Sequence, residues 1–157
     1  MKIMPTLDGG LRIDAEDKDD WRLLSGITGD AMSHDDKLSH RLGEFITDEA
    51  VMLDWLEYIV PELEDAFNAA VLHVTTAIAS ARVESGGGPG PLWITREEVF
   101  HWYSALNQAR LAIEENHKFG PGEFIDPEQL PPARRSVFLR TQFYCAIQSM
   151  LLAQGMG

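Results

Sequence analysis

The chain has 157 residues, 45% of them hydrophobic and 24% charged, with a formal net charge of −12. That length predicts a single domain spanning 1–157, able to bury about 68–70% of its unfolded surface without metals or disulfides. The apolar content excludes a disordered chain. One cysteine excludes an internal disulfide and gives no sign of secretion. The charge argues against nucleic acid and anionic membranes as partners, because both are bound through lysines and arginines. No run of about 18 apolar residues is present, so the reading is a soluble, cytoplasmic protein. The charge is unevenly spread: residues 133–157 hold Arg134, Arg135 and Arg140 and no acid, leaving −15 on the remainder. Internal pairing of these arginines with the acidic body is the economical expectation.

In chain order, residues 2–13 predict a small hairpin. Ile3 and Leu7 flank one side, Leu11 and Ile13 the other, and Asp8-Gly9-Gly10 supplies the turn. Asp14 is expected to cap a short helix reaching about Ile27, with Trp21, Leu24 and Ile27 facing the core. The polar stretch from Gly26 to Asp36 reads as irregular, and Lys37 to Phe45 as a short helix. Asp48 starts a clearer helix with Met52, Trp55, Leu56 and Ile59 as its apolar stripe. Pro61 ends that helix or kinks it and opens the next, which carries Leu63, Phe67, Val71, Val74 and Ile78 to about Val83.

Residues 84–94 contain Ser85-Gly86-Gly87-Gly88-Pro89-Gly90-Pro91, which reads as a flexible Gly/Pro loop. Thr95-Arg96-Glu97-Glu98 is a capping box, opening a helix with Val99, Trp102, Tyr103, Leu106, Ala109 and Ile113 on its apolar side. Four of the eight prolines fall in the connection 119–132. The last helix, about Ala133 to Gln154, is apolar almost all round, which places it in the middle of the assembly. The fold class is therefore mainly α, a four- to five-helix bundle with a small N-terminal β-hairpin.

Candidate sites are few. His34, Asp35, Asp36 and His40 are good ligand types, but the histidines stand six apart rather than the four that zinc helices use, so no metal or other cofactor is assigned. His73, His101 and His117 are isolated in sequence, and no catalytic residue is assigned. The glycine-rich loop lacks the Gly-Lys-Ser/Thr ending of a phosphate cradle. Cys145 lies in the most apolar helix and reads as a small hydrophobe. On the helix after Thr95, Tyr103, Asn107 and Arg110 share a flank beside the apolar stripe. Polar groups so close to a core need partners. Arg110 is expected to hold a carboxylate or helix-end carbonyls while Asn107 bridges helices; contact with a ligand or partner is the other reading of Asn107 and Arg110.

The pattern of Trp102, Leu106, Asn107, Arg110 and Leu111, Trp-x-x-x-Leu-Asn-x-x-Arg-Leu, resembles a bacterial domain-of-unknown-function family, numbered twenty-seventeen. Gly9-Gly10 before the Leu-Arg-Ile stretch and an aromatic-rich last helix fit the same resemblance. It implies no established activity and no catalytic residue. It does imply an accessory role near regulated proteolysis, since members are often encoded beside the adaptor of the ATP-dependent Clp protease. The leading expectation is a non-enzymatic, adaptor-like module working through a protein partner. A small-molecule or metal-dependent enzyme with a site between helices is the alternative (His34, Asp35, His40, Arg110), and a transcriptional regulator using Arg134, Arg135 and Arg140 is a weaker one. The acidic stretch Glu16 to Asp20 is one expected contact surface, and the 14 aromatic residues leave room for a homodimer.

Overall fold

The computed structural model describes residues 1–33 and 46–156, and the predicted helix from Lys37 to Phe45 lies outside the described residues. The fold is mainly α with a small antiparallel sheet. Strands β1 (Lys2–Pro5) and β2 (Leu11–Ala15) form the expected hairpin, with Ile3 opposite Ile13 and Pro5 opposite Leu11. The turn uses its two glycines differently. Gly9 has a φ of 94°, in the left-handed region that favours glycine. At Gly10 the constraint is space: an added Cβ would lie 2.0 Å from the Ile94 carbonyl oxygen.

That carbonyl belongs to a third strand inside the stretch read as a loop. β3 (Gly90–Ile94) pairs antiparallel with β2, pairing Leu11 with Ile94 and Ala15 with Gly90. The order is β1-β2-β3. Only residues 85–89 turn, and they are anchored: Gly86 and Gly87 take φ of 64° and 77°, and the Trp21 indole N–H donates to the Gly88 carbonyl at 2.8 Å. Pro91 is tolerated because the third strand stands at the end of the sheet. Leu11, Ile13, Ala15, Leu92 and Ile94 are buried on the helix-facing side, while Arg12 and Trp93 meet on the other.

Helix α1 (Lys18–Ala31) starts later and ends later than the acids and glycines suggest. Asp17, not Asp14, is its N-cap, accepting from the Asp20 amide, and Asp14 lies in β2. Trp21, Leu24 and Ile27 are buried as expected. α2 (Glu49–Asp54) begins at Asp48, whose carboxylate accepts from the amides of Ala50 and Val51. It runs through a π-helical turn (Trp55–Ile59) directly into α3 (Val60–Glu84), so Pro61 does not end it. The wider turn lies just upstream of Pro61, whose ring would otherwise press on the carbonyl four residues earlier.

After a 3-10 turn (Arg96–Glu98) come α4 (Val99–His117), two further 3-10 turns and α5 (Pro132–Leu151). The capping box is formed, with the Thr95 amide donating to Glu98 at 3.0 Å. The central helix is α4, not the apolar last one: it packs on α1, α3 and α5. Ala105, Ala109 and Ala112 are buried along it and allow neighbours close on several sides, with Trp102 and Leu106 filling the space between. α5 packs chiefly on α4 and leaves Leu139 exposed. No helix among the described residues is long and apolar enough to cross a membrane.

Gly10→Ala tests the strand arrangement. The added methyl must move β3 or the turn, and overpacking of this kind costs about 1–3 kcal/mol, so the thermal midpoint falls. An unchanged midpoint would show that β3 does not press on Gly10.

Candidate functional site

Three polar clusters tie the helices together. The first joins α1 to α5. Asp30 accepts from Arg140 at 2.9 Å (Nε) and 3.0 Å (the second guanidinium arm), and from the Tyr144 hydroxyl at 2.6 Å. Gly26, one turn earlier on α1, makes room for it: a Cβ there would sit 3.0 Å from the Tyr144 oxygen. Burial pushes the Tyr144 hydroxyl well above the usual phenol range, and its hydrogen bond to Asp30 acts in the same direction. The same carboxylate, through its hydrogen bond, holds Arg140 further towards its charged form. Sequence reading gave Arg140 an acid as partner but missed Asp30 and the role of Tyr144. The partners are 110 and 114 positions apart, and no local signal links them.

The second cluster contains the residues singled out on α4. Arg110 donates to the side-chain oxygen of Gln148, which is buried on α5, and Gln148 donates in turn to the Tyr103 carbonyl at 3.3 Å. Among the described residues Arg110 therefore meets an amide, not a carboxylate or helix-end carbonyls. Asn107 is half-buried and has no side-chain hydrogen bond among the described residues, so the bridging expected of it is not formed there. Instead Gln108 reaches the Phe67 carbonyl at 3.2 Å and Thr28 meets Thr75 at 2.9 Å, linking α3 to α4 and to α1. Trp102 is fully buried, with its indole N–H unpartnered among the described residues.

The third cluster shows what the other two C-terminal arginines do. Arg135 donates to the carbonyls of Pro127, Glu128 and Leu130 at 2.9–3.1 Å. Arg134 lies over the Phe119 ring, 4.6 Å from its centroid, and reaches the His117 carbonyl. Among the described residues, Arg140 alone of the three arginines pairs with an acid; Arg134 and Arg135 are held by the Pro-rich connection and the end of α4. The connection presents several carbonyls close together, and a planar guanidinium can take them at once.

The histidines are less scattered than their sequence positions. His73 and His101 stack with ring centroids 4.8 Å apart, and Glu98 lies 3.6 Å from His73 Nε2, beyond hydrogen-bond length. His101 is exposed, as expected. No group of three or more His, Cys, Asp or Glu side chains among the described residues is placed to hold a metal ion. His34, Asp35, Asp36 and His40 lie outside those residues. A shallow, open groove of ≈ 370 Å³ at the sheet is lined by Lys2, Arg12, Asp14, Glu16, Pro89 and Pro91. Arg12 is engaged there, 2.8 Å from Asp14 and stacked over Trp93. The Glu16 to Asp20 acids serve the start of α1: Asp17 caps it and Asp20 accepts from the Glu16 amide.

Away from these clusters, the segment Val51 to Ile59 carries large apolar side chains into solvent. The expected core stripe is only half formed: Met52 and Trp55 are half-buried, whereas Leu56 and Ile59 are exposed, with Val51, Leu53 and Tyr58. The first buried position is Val60. Periodicity had marked the apolar residues but not whether another element lay opposite them.

Two substitutions separate the clusters. Tyr144→Phe removes a hydrogen bond to a charged group, costing about 1.5–3 kcal/mol. The raised Tyr144 pKa means this stability is fully present below the ordinary phenol pKa of about 10 and is lost as pH rises through the folded value. The gap in melting temperature between wild type and variant therefore narrows above about pH 10. A pH-independent gap would show that Tyr144 does not carry it. Arg110→Ala leaves the Gln148 oxygen buried without its donor and lowers stability by about 1–3 kcal/mol. An unchanged melting temperature would show that Arg110 has no structural role.

No match was found among curated proteins or among solved structures. The family model described as Domain of unknown function (DUF2017) matches residues 4–154, nearly the whole chain from β1 to the end of the last helix. The chain belongs to the DUF2017 family.

Proposed function

We propose that the protein is a non-enzymatic interaction module, an adaptor or regulator that works by holding another protein. The observation that carries this reading is the exposed apolar segment from Val51 to Ile59. Large apolar side chains in water are an unfavourable arrangement that association relieves, and clustered ones mark interaction surfaces. The polar clusters support the same reading, since Asp30, Arg140, Tyr144, Arg110 and Gln148 satisfy one another between helices. The family resemblance adds the finer form: an accessory to regulated proteolysis in the bacterial cytoplasm. Asn107 and Arg110 are a proposed second contact. Asn107 has hydrogen-bonding capacity unused among the described residues, and an arginine has more donors than the one Gln148 takes.

The test is affinity capture of the tagged chain from its own host's lysate, with mass spectrometry and stoichiometry. The expected result is one protein retained at fixed molar ratio. Capture with no stoichiometric partner, from growing and stressed cells alike, overturns the interaction reading.

A further inference from the structure

The exposed segment has a chemistry that selects its partner. Tyr58 and Leu53 are 61% and 62% exposed, Val51 51%, Leu56 46% and Ile59 39%. These side chains belong to α2 and the π-helical turn. Among the described residues, that segment packs extensively only on adjoining turns of its own long helix. It is a helical arm with apolar groups on several sides.

Charge identifies what covers it. From Ile46 to Ala81 the chain holds seven acids (Asp48, Glu49, Asp54, Glu57, Glu62, Glu64 and Asp65) and no lysine or arginine. Asp54 and Glu57 are exposed between the apolar side chains, and Asp48 and Glu49 are exposed at the start of the arm. A second copy of the arm would bring acids against acids, and like charges across an interface are strongly disfavoured. An anionic lipid surface is repelled in the same way. Complementarity instead calls for cations beside apolar anchors.

We propose that the arm from Glu49 to Ile59 is the docking element for an amphipathic basic helix of another protein. The partner's apolar stripe covers Leu53, Leu56 and Ile59, which recur at helical spacing, and its lysines or arginines face Asp54 and Glu57. The inference rests on the interaction reading above and names the surface and the partner class. Helix-on-helix docking of this kind is read out through apolar anchors at helical spacing, with charge fixing orientation and rate.

Three synthetic helical peptides of about 18 residues, long enough to form several turns, test it against the full chain by fluorescence anisotropy. One carries a leucine stripe flanked by lysines, one the same stripe flanked by glutamates, and one the same lysines with serine replacing leucine. The first binds at least about tenfold more tightly than either of the others, and more weakly as salt rises from about 0.05 to 0.5 M. Leu53→Gln with Leu56→Gln, and separately Asp54→Lys with Glu57→Lys, each weaken it at least about tenfold; all four positions are exposed, so the fold is retained. Equal binding of the serine peptide would reveal only general acidity, and equal binding of the glutamate peptide only stickiness. Either overturns the proposal, as does no binding. A wild-type dimer that the leucine substitutions convert to monomer assigns the arm to a second copy and overturns it too. Capture from lysate separates the two levels: a stoichiometric partner retained equally by wild type and the Leu53→Gln/Leu56→Gln variant keeps the interaction reading and removes this surface. Capture of nothing removes both.

Discussion

The helical core of this fold is arranged around α4, which is covered by α1, α3 and α5 together. Three neighbours can approach one helix only where its side chains are short, and Ala105, Ala109 and Ala112 supply that. Trp102 and Leu106 then occupy the larger spaces, Trp102 with an indole N–H that has no partner among the described residues. The sheet packs on α3 through β3, and Leu11, Ile13, Leu92 and Ile94 present one apolar face to the helices. Tight packing of this sort leaves little tolerance, because a single added carbon at Gly10 would already collide with the backbone of β3.

Polar side chains fix the orientation of the helices that apolar packing brings together. Asp30, Arg140 and Tyr144 set α5 against α1, Arg110 and Gln148 set α5 against α4, and Gln108 sets α4 against α3. Apolar contact is non-directional, whereas a bidentate guanidinium–carboxylate pair accepts one geometry. The value of Asp30 thus lies in specificity as much as in energy, since taking two charges out of water offsets much of their attraction. The arginines of the last helix, which make its end of the chain locally basic, are held by a carboxylate and by backbone carbonyls.

The arm from Glu49 to Ile59 stands outside this organisation. It shares no polar cluster described above, and Val51, Leu53, Leu56, Tyr58 and Ile59 are exposed before Val60 enters the core. The π-helical turn within it lets one helix pass Pro61 without a break, so the exposed arm and the buried stretch of α3 are parts of one continuous helix. A partner seated on the arm would therefore be held on an extension of the core itself.

Sequence by itself determined the helical class, the hairpin, the caps at Asp48 and Thr95, and the core positions Trp21, Leu24, Val74, Ile78 and Trp102. These depend on local hydrogen bonds and on the helical repeat, which a linear chain displays. Three things needed the tertiary structure. β3 was hidden because Gly90 and Pro91 oppose strand formation until β2 supplies a paired edge. The middle helix was misplaced because all-round apolarity marks α5, while centrality depends on the small residues of α4. The partner of Arg140 and the exposure of Leu56 and Ile59 were invisible because each depends on what lies opposite in space. Periodicity reports which face of a helix is apolar; only the packing of distant segments decides whether that face is covered.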